Sequence, residues 1–354
     1  MLSLKITNND TNKYKGLGLS GLQNLGNTCW MNSILQCLSN TYFLRQIFLN
    51  NEETWLEHIN KDKKESEFVQ AFFKLFRGIW KKNCTIRPVT MVDLLNRNCS
   101  NLSHYNQHDA HEALVILLDK LHTGFVKQVN IAISGKPKNK IEKMQMQSYN
   151  DFKKRYNKDY SIILDIFFGT TVSEIKSKTN ESHNFTSFST LELELPDTPG
   201  PLSLLDCIDE YTKSENLDGD NKWFNEKTNT YENATKRLSI FKQPNVLICI
   251  LKRFLPTGRK NKKYVSFSHN INIKKYMYDP SLIEGSTQYK LFATCNHGGD
   301  IHGGHYTSCC LNPNGKWYHY DDTVINPIEN IEDINDSTVY ILFYVKQNAY
   351  NYNI

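Results

Sequence analysis

Two spacings of apolar residues divide the chain. From residue 17 to about 125 they recur at helical intervals. In the stretch Trp30–Asn40, Met31, Ile34, Leu35 and Leu38 fall at i, i+3, i+4 and i+7, which predicts one buried stripe. Across 107–122 the same stripe returns in Ala110, Ala113, Leu114, Leu117, Leu118 and Leu121. Asp109 and Glu112 fall in the first turns of that helix, where negative charge suits the positive end of the dipole.

The second half changes period. Runs rich in β-branched and aromatic residues at 161–168, 185–195, 246–251, 289–295, 305–311, 316–320 and 338–345 predict strands. Three stretches lack apolar period. Residues 1–16 read as a loose polar tail, 127–160 as a Lys-rich connecting loop or insertion, and 215–235 as turn-rich. Helices followed by strands predict an α+β fold.

Composition narrows the function. Apolar residues make up 39% of the 354, enough for a real core and against wholesale disorder. The net charge of +5 is spread out, and the short runs Lys61–Lys64, Lys136–Lys143 and Arg259–Lys263 read as solvated loops. No basic face with interleaved aromatics is evident, so a nucleic-acid partner is not expected. No stretch approaches the ~18 apolar residues of a membrane span, and the start lacks the apolar core of a secretory signal. The nine cysteines include no CxxC pair. That pattern suggests free thiols in a reducing compartment, the cytoplasm or nucleus. A monomer is expected.

Free thiols leave room for a catalytic one. Most cysteines are simply small buried residues, and Cys37 is read that way. Cys29 differs by position. It follows the Gly-flanked polar loop Gly21–Thr28 and falls in the first turn of the predicted helix, with Asn27 or Thr28 as the cap. Unpaired N–H groups and the dipole there lower a thiol pKa and favour the thiolate. Asn24, five residues upstream, is placed to donate its side-chain N–H to an oxyanion beside Cys29.

Such a nucleophile needs a base, and the base needs an orienting group. The segment His297–Tyr306 contains four glycines, and its His305 falls at the start of a predicted strand. After a turn at Asn312–Gly315 the chain returns through Lys316–Asp322, which reads as a hairpin. Its geometry brings Asp321 beside the His305 ring. His302 and His319 are assigned no role, and His297 is read as lining the cleft. A metal is not expected on His297, His302 and His305, because a Gly-rich loop orients them poorly.

The two blocks together resemble the ubiquitin-specific protease family, the papain-like deubiquitinases. The resemblance is carried by 21–36 (GLQNLGNTCWMNSILQ), 107–114 (QHDAHEAL), 161–169, 244–254 and the histidine block 297–322. It runs from about residue 17 to 346. It implies a helical thumb over about 17–125, a β palm over 161–167 and 236–348, and β fingers over 168–235, together a catalytic domain of residues 17–348. Cys29 matches the nucleophile, His305 the base, Asp321 the third member, Asn24 the oxyanion donor and Asp322 an assisting neighbour. Gln107, Asp109 and Glu112 match a thumb box that suits the arginines of the ubiquitin tail. Gly304 and Tyr306 match substrate contacts beside the base, and the loop 298–304 one that moves on binding. The implied activity is hydrolysis of the bond after the last glycine of ubiquitin, with ubiquitin and its conjugates as partners and no cofactor. An inactive ubiquitin-binding module and a protease for another ubiquitin-like modifier are the alternatives. The filled catalytic positions favour the active enzyme.

The sequence departs from the family at the fingertips. Many members carry two CxxC pairs holding zinc there. The corresponding positions are Lys176, Thr179, Asn225 and Thr228, none of which supplies a thiolate. Zinc is therefore not expected, and the fingers are expected to hold by strand pairing and packing alone, with a looser tip.

Overall fold

The computed structural model describes residues 13–50, 59–99, 102, 106–300 and 303–347. His302 and residues 1–12 of the expected tail lie outside them. The end of that tail is tied down. Tyr14 is buried against Trp80, with ring centroids 5.9 Å apart. Gly16 N donates to Asn312 Oδ1 over 3.2 Å.

Helix α1, Cys29–Ser39, carries the predicted stripe, but all its residues are buried. A polar side chain without water needs an internal partner. Gln36 Nε2 accordingly donates to Ser20 O over 2.8 Å, and Asn32 Nδ2 to Leu22 O over 3.2 Å. Helices α2, Ser66–Lys81, and α3, Ala110–Gly124, pack in the helical lobe around Phe48, Phe72 and Phe76, with the helix Val89–Asn98 beside them. The apolar stripe of α3 is buried as its spacing predicts. Asp109 is the cap of α3 rather than a first-turn residue, and its side chain accepts from His111 N over 2.8 Å.

Two predicted elements differ. Residues 127–160 hold a long helix, α4, Lys140–Tyr156. Only Met144 and Ser148 of α4 are buried, so it has no apolar stripe to read. Its ends account for it instead. Asn139 caps it by accepting from Glu142 N, and Lys153, Lys154 and Arg155 face the negative end of the dipole. The run 161–168, predicted as a strand, contains helix α5, Ile162–Phe167. A short apolar run fits a buried strand or a buried helix equally well. Packing between α3 and the sheet decides for the helix.

The strands that follow are β1, Gly169–Ser177; β2, Glu181–Phe188; β3, Leu191–Leu193; β4, Glu215–Leu217; β5, Trp223–Asn225; β6, Thr230–Glu232; and β7, Ala234–Lys242. Beyond them come β8, Val246–Leu251; β9, Gln288–Gly299; β10, Gly304–Leu311; β11, Trp317–Asp321; β12, Val324–Ile328; and β13, Val339–Lys346. The large sheet runs β12-β11-β10-β9-β13-β8-β3, with Asn270–Asn272 added on β9. Strand β8 is buried on both faces, which explains its unbroken apolar run. Helix α1 lies on this sheet, with Cys295 Sγ donating to Ser33 Oγ over 3.4 Å. A second sheet, β2-β1-β7-β4, extends away, and the β5–β6 hairpin stands beside it with no shared ladder. Pairing and packing alone do not hold this tip, contrary to expectation. Thr179, Asn225 and Thr228 all donate side-chain hydrogen bonds to Glu232.

Candidate active site

The loop before α1 folds back on the helix start. Thr28 holds the cap position without a side-chain cap bond. Its hydroxyl accepts from Leu25 N over 3.0 Å and donates to Asn24 Oδ1 over 3.2 Å. Asn24 Oδ1 also accepts from Thr28 N over 3.0 Å. Asn24 Nδ2, the expected oxyanion donor, is engaged by Asp322 Oδ2 over 2.9 Å.

Cys29 follows, buried at 4% exposure. Burial pushes its thiol above the usual range, because a desolvated thiolate loses hydration. Hydrogen bonding from the Tyr306 backbone pulls the other way, the Asp322 charge adds to the rise, and the Trp30 and Cys29 backbone amides pull it down. The helix-start argument for a lowered pKa is therefore overturned here: desolvation exceeds the donors' help.

His305 stands on the neighbouring hairpin. Strands β10 and β11 pair with Ser308 opposite Tyr320, so His305 and Asp321 meet at the open end. His305 Nε2 and Asp321 Oδ1 are 2.6 Å apart. With Nε2 on the carboxylate, Nδ1 is the ring nitrogen turned away from Asp321. Among the described residues no hydrogen bond joins Cys29 Sγ to the imidazole. One ring nitrogen of His305 and one carboxylate oxygen each of Asp321 and Asp322 lie within 4.8 Å of one another.

Asp322 is the junction between the two halves. It adopts the left-handed backbone region at φ 48°. Its second oxygen accepts from Asn32 Nδ2 over 2.8 Å, and its carbonyl from Leu22 N over 2.8 Å. The loop approaches so closely that a Cβ on Gly21 would lie 2.5 Å from Thr323 O. Asp322 therefore bonds the helix and loop that carry the thiol, rather than only assisting the base.

The remaining predicted residues divide. Gln107 grips the start of β10 twice: Nε2 donates to Gly304 O over 3.0 Å, and Oε1 accepts from Gly304 N over 3.1 Å. Both Asp109 oxygens accept from the Tyr340 hydroxyl, over 2.8 and 2.9 Å. Glu112 is exposed. Tyr306 is buried, and its ring lies 4.5 Å from that of His297. His297 does not line an open cleft: it is 3% exposed, and burial pushes its pKa down to about 4. It lies under Gly304, where any Cβ would come within 2.1 Å of its Nε2.

Sequence reasoning missed Asn32, Tyr340 and Lys260. The Lys260 ammonium donates to His297 O over 2.5 Å and so ties the 255–263 loop to β9. A signal for Asn32 was present: a polar residue three positions after Cys29, beside the stripe residues Met31 and Leu35.

A family model described as "Ubiquitin carboxyl-terminal hydrolase" matches residues 20–344. The chain belongs to this family. Ubiquitin carboxyl-terminal hydrolase 2 of Bos taurus is 31% identical over 350 residues, spanning 94% of this chain and 56% of its own length. Ubiquitin carboxyl-terminal hydrolase 4 of Vanderwaltozyma polyspora is 30% identical over 364 residues, spanning 92% of this chain and 40% of its own. The chain thus spans about half the length of these relatives. Among solved structures, the SAGA Ubp8/Sgf11/Sus1/Sgf73 deubiquitinating module bound to ubiquitin aldehyde aligns with a TM-score of 0.72 at 24% identity. It covers 94% of this chain and 70% of that one. That likeness establishes the α+β fold. Among the described residues no helix is long and apolar enough to cross a membrane.

Proposed function

We propose that this chain is a thiol-dependent deubiquitinase that cleaves the isopeptide or peptide bond after the C-terminal glycine of ubiquitin. The observation that carries this reading is the group around Cys29. A thiol at a helix start meets the Tyr306 backbone, while the preceding residue, His305, is bonded to Asp321 over 2.6 Å. Ubiquitin sits between the helical lobe and the β1–β2 sheet, with its tail reaching Cys29.

His305 takes the thiol proton at Nδ1, which the raised thiol pKa makes necessary. The thiolate attacks the glycine carbonyl carbon. Backbone N–H groups at the start of α1, and Asn24 once its amide leaves Asp322, hold the oxyanion. The imidazolium then protonates the departing amine, leaving a thioester. Water, deprotonated by His305, attacks that thioester, and the thiol recovers its proton. Asp321 keeps the ring oriented and stabilises the imidazolium. Glu112 is the exposed carboxylate that takes an arginine of the tail. Asp109 and Gln107, committed to Tyr340 and Gly304, shape the cleft instead.

One chain supplies every catalytic group, which fits action as a monomer. The nine free cysteines fit a reducing cytoplasm or nucleus. Ubiquitin bearing a C-terminal electrophile tests the reading. The wild-type chain is expected to form a covalent adduct, and Cys29→Ala to bind ubiquitin without one. An adduct on Cys29→Ala, or none on the wild type, would overturn it.

A further inference from the structure

The fingertip lacks the chemistry of a zinc site, and the structure contains something in its place. Of the four positions that match thiolates in zinc-bearing relatives, Lys176 carries an ammonium bonded to Glu174 over 3.3 Å. The other three point hydrogen-bond donors at one carboxylate. Thr179 Oγ1 donates to Glu232 Oε2 over 2.6 Å. Asn225 Nδ2 and Thr228 Oγ1 each donate to Glu232 Oε1 over 2.8 Å. Groups turned this way give their protons to Glu232 and do not form a cation's ligand set.

The arrangement solves a local problem. The β5–β6 hairpin shares no ladder with the four-stranded sheet, and a lone two-stranded hairpin is marginal in water. Glu232 ends β6, and Thr179 lies in the turn between β1 and β2, so the carboxylate collects donors from both hairpins. Asn225, fully buried, extends the link: it accepts from Asn180 Nδ2 over 3.3 Å. Lys227 Nζ donates to Asn180 Oδ1 over 2.8 Å. Hydrogen bonds from Ser177, Thr179 and Thr228 hold the Glu232 carboxyl down at about 2, so it is ionised under ordinary conditions.

We propose that Glu232 is a positioning residue that docks the β5–β6 hairpin onto the finger sheet and thereby sets the affinity for ubiquitin. The affinity half rests on the deubiquitinase reading above; the docking half stands on the hydrogen bonds alone. Charge-assisted bonds are the strong ones, and here one anion receives several.

The test uses the full chain as wild type, Glu232→Gln and Glu232→Ala. Glutamine keeps the shape and removes the charge, so it remains informative if alanine compromises folding. Amide hydrogen exchange over 223–232 is measured beside steady-state hydrolysis of ubiquitin carrying a C-terminal fluorogenic amide. Exchange is expected to rise about tenfold, and KM about tenfold, with kcat within about twofold. Unchanged exchange over the hairpin would overturn the docking. Raised exchange with an unchanged KM, or a loss confined to kcat, would overturn the link to ubiquitin. If the wild type itself hydrolyses nothing, the deubiquitinase reading fails, while the exchange arm still judges the docking.

Discussion

Asn32 Nδ2 donates to Asp322 Oδ1 over 2.8 Å, across 290 residues of sequence. This bond ties the helix carrying Cys29 to the turn that follows Asp321. The separation between sulfur and imidazole is therefore controlled partly from behind both groups.

Removing that tie should cost alignment more than binding. Asn32→Ala takes a donor from both Asp322 and Leu22 O inside the core. A stability loss of about 1–3 kcal/mol is expected in urea unfolding. Steady-state kinetics should show kcat falling roughly tenfold, since small misplacements of reacting groups are costly. KM should stay close to wild type. A variant with wild-type kcat would show that Asp322 needs only its bond from Asn24.

The free thiol should behave as a protonated one. Burial raises the Cys29 pKa above its ordinary 9.0. Alkylation by a small neutral electrophile follows the thiolate fraction. Labelling of the Cys29 peptide, followed by mass spectrometry, should therefore still be accelerating at about pH 9. A plateau reached below neutral pH would instead indicate a thiolate–imidazolium pair formed before ubiquitin arrives.

His297 should make the fold acid-sensitive. Its folded pKa is lowered from 6.5 to about 4 by burial first, with Lys260 adding to the effect. The unfolded chain therefore takes up this proton at a higher pH than the folded one. The stabilising contribution is complete above 6.5 and is lost as pH falls toward 4. Melting temperatures of wild type and His297→Gln, compared across that window, should converge on acidification. A gap independent of pH would mean that this imidazole does not titrate on unfolding.

The elements legible in the sequence were those whose pattern is local. The α3 stripe, the β10–β11 hairpin and its turn follow from spacing and turn residues, and with them the meeting of His305 and Asp321. Helix α4 escaped because its signals lie in the Asn139 cap and the basic last turn, with only Met144 and Ser148 buried. Helix α5 escaped because a six-residue apolar run has no period long enough to tell helix from strand. Glu232 escaped because Thr179, the donor that makes it a link, comes from another hairpin.

By itself, the order of residues determined the family and its architecture. Long motifs around Cys29, Gln107 and His305 specify which functional groups are present, and helix and strand periods specify what carries them. Tertiary structure alone decided what each group does at rest. Asp322 became a junction between chain ends, the Cys29 thiol rose rather than fell, and His297 was buried neutral under Gly304. The physical reason is that desolvation and hydrogen-bond partnership depend on which distant surfaces close around a side chain. Asn24 and Asp322 meet across 298 positions, and no local pattern encodes that distance.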